Sequence, residues 1–225
     1  MNKISRIAAL ASLAVPATLG LQAASAATVT ACGPTICYEY DSDQLSIALF
    51  GNPVLIGDEL RFLPGTFAAV SANGAGAAIS TANFLLDRVY SVSGIGIASI
   101  TVSELGDYRV FNNGEVAADL SLLVTDNATT AFTIASDTFG AAGNSGGLQL
   151  WNLAATADVL GTLGGAVNDV AVSLQNSLVA ITGANGELAF IQKKLSIGAV
   201  TVVPVPAAGL LMLSALGLLG FLRRR

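Results

Sequence analysis

Between Thr28 and Thr201 apolar residues recur at alternate positions in short runs separated by glycine and asparagine clusters, the period of half-buried extended strands. The clearest run is EVAADLSLLVT, 115–125, where Val116, Ala118, Leu120, Leu122 and Val124 share one face. It follows Asn112-Asn113-Gly114, and Asn-Gly is a strong hairpin signal, so ITVSELGDYRVF, 100–111, is the expected partner. Asn185-Gly186 joins LVAIT to ELAFIQKKL with the same expectation. Further strands are expected over 44–51, 59–63, 83–92, 129–136, 148–156 and 169–177, with an alanine-rich helix as the alternative over 75–88. About eight to ten short antiparallel strands with glycine-rich turns predict an all-β fold, a jelly-roll-like β-sandwich.

Both ends break this pattern. Met1 to Ala26 has a basic head at Lys3 and Arg6, an apolar run from Ile7 to Leu21, and small residues Ala24 and Ala26 at its close. That is the layout of a secretory signal peptide, residues 1–26, removed by signal peptidase during secretion. The other end, 202–225, carries an uncharged stretch over 207–222 and then Arg223, Arg224 and Arg225. As a helix the stretch would run about 24 Å, slightly short of the hydrocarbon core, with the arginines reaching toward the head groups. A positive flank stays cytoplasmic, so the body, 27–201, is expected outside the inner membrane and the last residues inside. Pro204 and Pro206 hold VTVVPVPA, 200–207, extended as a tether.

Charge and cysteine usage fit an exported body. All fifteen acidic residues lie between Glu39 and Glu187, against five basic ones, Arg61, Arg88, Arg109, Lys193 and Lys194. A domain this acidic repels nucleic acid and anionic lipid, so neither is an expected partner of the body. Cys32 and Cys37 flank Gly33-Pro34, which can turn the chain, and an oxidising compartment would join them in a disulfide. The alternative is a lipid on Cys32, since Val29-Thr30-Ala31-Cys32 loosely resembles a lipoprotein cleavage box.

Gly143-Asn144-Ser145-Gly146-Gly147 resembles the nucleophile loop of trypsin-like proteases and also fits G-x-S-x-G. A serine of that kind needs an imidazole base, and the chain contains no histidine. A Ser-Lys dyad would need Lys193 or Lys194 buried and neutral, and two adjacent strand residues point opposite ways. Ser145 is therefore read as part of a turn, with no catalytic residue and no cofactor expected. No soft metal site is expected either, for want of histidine and free thiol. Asp41-Ser42-Asp43 and Asp126-Asn127 offer oxygen ligands without the spacing of a calcium loop, and read as solvated turns. Glu104 and Asp107 are close enough to pair, with Gly106 suggesting a bend between them. Trp151 reads as core, with stacking on a sugar as the alternative.

Val203-Pro204-Val205-Pro206-Ala207, then an apolar helix and Arg223 to Arg225, resembles the PEP-CTERM sorting signal, in the variant whose motif reads Val-Pro-Leu-Pro-Ala. The two prolines match the motif prolines, Val203 and Ala207 match its flanks, and Val205 stands where the variant has leucine. The resemblance implies an exosortase that cuts near the motif, and a surface or exopolysaccharide-associated destination in a Gram-negative bacterium. It also implies a passage in which the inner membrane holds the chain only transiently. The expected function is a non-enzymatic protein of the cell surface or extracellular matrix. The alternatives are an exopolysaccharide-binding module, with Trp151 and Tyr108 in contact, and a permanently anchored single-pass membrane protein.

Overall fold

The computed structural model describes residues 27–164 and 167–203. The expected signal peptide with Ala24 and Ala26, the expected motif residues Pro204, Val205, Pro206 and Ala207, the apolar stretch 207–222 and the three terminal arginines lie outside the described residues.

The described strands run, in chain order, β1 (Thr28–Cys32), β2 (Ile36–Asp41), β3 (Val54–Ile56), β4 (Glu59–Phe62), β5 (Ala68–Ala72), β6 (Gly76–Ser91), β7 (Ile97–Phe111), β8 (Gly114–Asp126), β9 (Phe132–Gly143), β10 (Gln149–Asp158), β11 (Asp169–Thr182) and β12 (Leu188–Val202). Two short helices interrupt them, α1 (Ile47–Phe50) and α2 (Val159–Leu163). One sheet has the order β1-β2-β6-β11-β8-β9, the other β10-β7-β12-β4-β3, with β5 also on β12. All pairs are antiparallel.

The alternation read from the sequence is the alternation of burial. Along β8, Val116, Ala118, Leu120, Leu122 and Val124 are buried, while Glu115 and Asp119 are exposed. They join Leu174 and Leu178 of β11, and the opposite sheet contributes Ile100, Val102, Leu153 and Ile191 to the same core. Each of the valine, leucine and isoleucine side chains among them stabilises the fold by roughly 1.5–3 kcal/mol. At one side of this core Phe50, Phe62, Phe67 and Phe84 meet edge to face, Phe62 and Phe84 at 4.8 Å between centroids. Aromatic rings prefer that geometry because edge and face carry opposite partial charge.

Several expectations change in the folded chain. Neither Asn-Gly turn makes a hairpin. β7 and β8 belong to different sheets, as do β11 and β12, so both turns carry the chain across the sandwich. Asn112 and Asn113 both take left-handed dihedrals (φ 49° and 68°), which turns the chain sharply, and what the flanking strands pair with is decided elsewhere. Asn113 donates to the carbonyl of Gly143 at 3.1 Å, tying the crossing to β9.

Residues 44–51 are a helical turn and not a strand. Gln44 occupies the ladder position beside β6 with its side chain: Leu85 donates its amide to Gln44 Oε1 at 2.9 Å, and Nε2 returns a bond to the Leu85 carbonyl. The backbone, released from pairing, then closes bonds from Phe50 to Ser46 and from Gly51 to Ile47. The alanine-rich stretch 75–88 is strand from Gly76 onward, part of β6 paired to β11 from Gly76 to Tyr90. The tether begins later than expected, because Thr201 and Val202 still pair with β7 and Val203 donates its amide to the carbonyl of Gly96.

Candidate functional site

The most concentrated polar chemistry among the described residues lies inside the sandwich. Lys193 of β12 is fully buried, and its Nζ stands 2.8 Å from Glu104 Oε1 of β7. The same Nζ contacts Oδ1 of Asn176, which projects from β11 on the facing sheet. Ser196 donates its hydroxyl to Glu104 Oε1 at 3.2 Å. All four side chains are almost completely excluded from solvent. Phe50 and Phe67 close over the ammonium at 4.8 and 4.9 Å from their ring centroids, a cation–π cage that also keeps water away.

Local sequence explains how these groups come to face inward. Glu104 shares its register with Ile100 and Val102, Asn176 with Leu174 and Leu178, and Lys193 with Ala189 and Ile191. Each is a polar residue written into the buried face of an apolar strand. Ser196 lies three positions beyond Lys193 and would point outward in a regular strand. A bulge at Lys194 inserts one unmatched residue between the pairs Lys193–Gly106 and Leu195–Leu105. The extra residue reverses the parity of β12, so Lys193 and Ser196 both reach the interior and flank Glu104.

A buried ammonium and carboxylate are costly to desolvate, and their pairing and hydrogen bonds must recover that energy. Burial pushes the Lys193 amine down from 10.5 to about 8, while the neighbouring Glu104 carboxylate acts in the opposite direction. The neutral amine is thus much closer to hand than in a solvent-exposed lysine. An amine, a carboxylate able to exchange its proton, and a carboxamide are held together in a dry pocket.

Glu104 and Asp107 do not pair with each other. Asp107 lies on the opposite face of β7 and meets Lys194, whose Nζ is 2.6 Å from its Oδ2, so each carboxylate has its own lysine. Asp107 Oδ1, on the same carboxylate, has no hydrogen-bond partner.

Ser145 sits in the turn that precedes β10. Its hydroxyl donates to the Gly147 carbonyl at 2.7 Å and accepts from the Val110 amide at 3.2 Å, while its own amide donates to the Val110 carbonyl. Its hydroxyl bonds are to backbone groups, and neither lysine is among its partners. The aspartates of the candidate calcium turns are likewise engaged locally. Asp41 accepts from the Asp43 amide, and Asp126 from the Ala128 amide and the Thr129 hydroxyl. Hydrogen bonds from Thr129 and Ala128 hold the Asp126 carboxyl below the ordinary carboxylate range. Among the described residues no three His, Cys, Asp or Glu side chains converge as a metal site.

Trp151 is core: it is 2% exposed, lies near Phe139, and donates its indole N–H to the Gln192 carbonyl at 3.1 Å. Sugar stacking on this ring is excluded by that burial. Tyr108 packs half-buried against Phe139 at 5.1 Å. Cys32 and Cys37 have their sulfur atoms 2.02 Å apart, the separation of a disulfide. Val203 directly follows β12.

No family model matches the chain, and no curated protein is similar to it at a significant level.

Proposed function

We propose that this chain is an exported, non-enzymatic β-sandwich protein of the cell surface or extracellular matrix of a Gram-negative bacterium. In this reading signal peptidase removes residues 1–26, the apolar stretch holds the body at the inner membrane, and an exosortase cuts near Val203–Ala207. The observation that carries it is the order of three features at the C-terminus: a double-proline motif, an uncharged run of helix length, and Arg223 to Arg225.

Other features support it. The paired sulfurs of Cys32 and Cys37 suit an oxidising compartment. The body's last strand ends at Val202 and Val203 makes one further backbone bond, to Gly96, so the motif prolines come directly after the hydrogen-bonded chain. A protease needs extended backbone free of regular pairing, and Pro204 and Pro206 would keep it so. Strands β6 to β12 change sheets repeatedly along the chain, which favours the jelly-roll-like description of the body. Exopolysaccharide is the expected neighbour at such a destination, through surface groups other than Trp151.

The test is the intact mass of the mature protein from cells with and without the exosortase, for the natural chain and for Pro204→Ala/Pro206→Ala. Cutting near residue 204 that depends on both the enzyme and the prolines is expected. A mature chain that still ends at Arg225 would instead make the protein a permanent single-pass anchor.

A further inference from the structure

We propose that Lys193 and Asn176 become covalently joined through an amide between Lys193 Nζ and Asn176 Cγ, with Glu104 carrying the proton. The inference rests on the geometry of the sandwich interior and is independent of where the protein is delivered.

Three observations lead to it. The first is contact: the lysine amine abuts the carboxamide of Asn176, with Phe50 and Phe67 packed around the amine. The second is the carboxylate: Glu104 Oε1 is 2.8 Å from the same nitrogen and is held there by Ser196. The third is exclusion of water, since Lys193, Glu104, Asn176 and Ser196 are all within 3% of complete burial. A structural ion pair needs only a lysine and a carboxylate. Placing a carboxamide against the amine as well assembles a nucleophile, a proton carrier and an acyl group with a leaving nitrogen.

The reaction balances without any further reagent. Glu104 takes a proton from the Lys193 ammonium, leaving a neutral amine. Its lone pair attacks Asn176 Cγ, forming the Nζ–Cγ bond. The proton held by Glu104 passes to Asn176 Nδ2, the Cγ–Nδ2 bond breaks, and ammonia leaves, taking up a second proton from the new amide nitrogen. No oxidant or reductant takes part. The amide is uncharged, so the buried cation is removed with it. Amines and carboxamides do not condense at a useful rate in water. Here the fold supplies an effective concentration that a bimolecular encounter does not. Glu104 is a poor acceptor by comparison, because an ionised carboxylate has no comparable leaving group.

The position of the bond has a structural meaning. Asn176 is on β11 and Lys193 on β12, which lie in opposite sheets. One amide would fasten the two layers of the sandwich through the middle of the core. Unlike the Cys32–Cys37 link, it would survive reductant.

Glu187 lies between the two residues, and no arginine or lysine lies between Arg109 and Lys193. The experiment is therefore digestion of the purified, reduced and denatured full chain with a glutamate-specific protease and trypsin, followed by tandem mass spectrometry. The expected product is Val116–Glu187 joined to Leu188–Lys194, lighter than the sum of the two by about 17 Da, the mass of ammonia. The bond to Lys193 blocks tryptic cleavage there. Release of free Leu188–Lys193 would overturn the proposal, as would a link from Lys193 to Val89–Arg109, the fragment left whole when a joined Glu104 resists cleavage. Glu104→Gln keeps the shape of the side chain and removes its proton exchange. It should release free Leu188–Lys193, and an unchanged link in that variant would overturn the role of Glu104. If the variant fails to fold, digestion of the natural chain still decides whether the bond exists.

Discussion

Gly106 and Trp151 are register partners across β7 and β10, and no methyl group fits between them. A Cβ on Gly106 would stand 2.7 Å from the indole Nε1 and would also collide with the Gln192 carbonyl. That carbonyl is the one that accepts the indole N–H. On its other side Gly106 pairs with Lys193, at the start of the β12 bulge. The bareness of one residue therefore seats the tryptophan and leaves room for the bulge that turns Lys193 inward.

Gly106→Ala is expected to destabilise the fold by about 3 kcal/mol, the upper end of the range for an overpacked core site in which backbone must move. Urea denaturation followed by Trp151 fluorescence measures it. A loss below about 1 kcal/mol would mean that the indole and the Gln192 carbonyl are not fixed as described.

Asp58 holds the turn between Cys32 and Cys37 against the β3–β4 turn. Its carboxylate accepts from the Thr35 amide at 2.9 Å, the Thr35 hydroxyl at 2.7 Å and the Ile36 amide at 3.0 Å. Burial raises its pKa, but these hydrogen bonds lower it further, and the net shift is downward from 3.8. A carboxyl group with a depressed folded-state value stabilises the fold above its ordinary value and loses that contribution as pH falls through the lower one. Asp58→Ala should cost about 1–2 kcal/mol at pH 7. The difference between variant and natural chain should vanish in strong acid. Thermal unfolding of both proteins across pH 2 to about pH 7 tests the sign.

The amine of Lys193 gives a second pH signature. Asn176→Ala leaves it free, with a folded value near 8 against 10.5 in the unfolded chain. Between those values the unfolded state binds more protons, so stability rises with pH and the burial penalty is greatest below the lower one. The slope can approach 1.4 kcal/mol per pH unit, roughly the full effect of one proton. In the natural chain the nitrogen belongs to an amide and that rise is absent. Denaturation midpoints from about pH 8 to about pH 9.5 separate the two, below the range where ionising tyrosines intrude. Tyr38 acts with the opposite sign at higher pH, because burial and then Asp58 and Glu59 raise its pKa. Equal slopes in variant and natural chain would count against the free and linked states assigned here.

Ser145→Ala should lose about 1 kcal/mol of stability, since the hydroxyl bonds to Gly147 and Val110 disappear while the backbone bond to Val110 remains. A fluorophosphonate probe, which labels activated serines, should leave the natural chain unmodified. Labelling at Ser145 would overturn its reading as a turn residue.

Period-two alternation was enough to specify an all-β body and to place Leu120, Leu122 and Val124 in its core, because strand parity depends only on neighbours along the chain. That alternation did not single out Glu104, Asn176 or Lys193, polar residues that the structure places on the buried faces of their strands. The sequence also displayed the double-proline motif, the terminal arginines and the absence of histidine, all of which are read without knowing any distance. Tertiary structure alone decided that Asn113-Gly114 and Asn185-Gly186 cross between sheets, since a local turn signal does not state which strands will bond. It decided that Gln44 takes a ladder position from backbone, and that an unmatched Lys194 sends Ser196 inward. Above all it decided that one amine, one carboxylate and one carboxamide share a pocket. Contacts between residues far apart in the chain depend on sheet order and register, which pairing energies summed over the whole sandwich determine and no single stretch encodes.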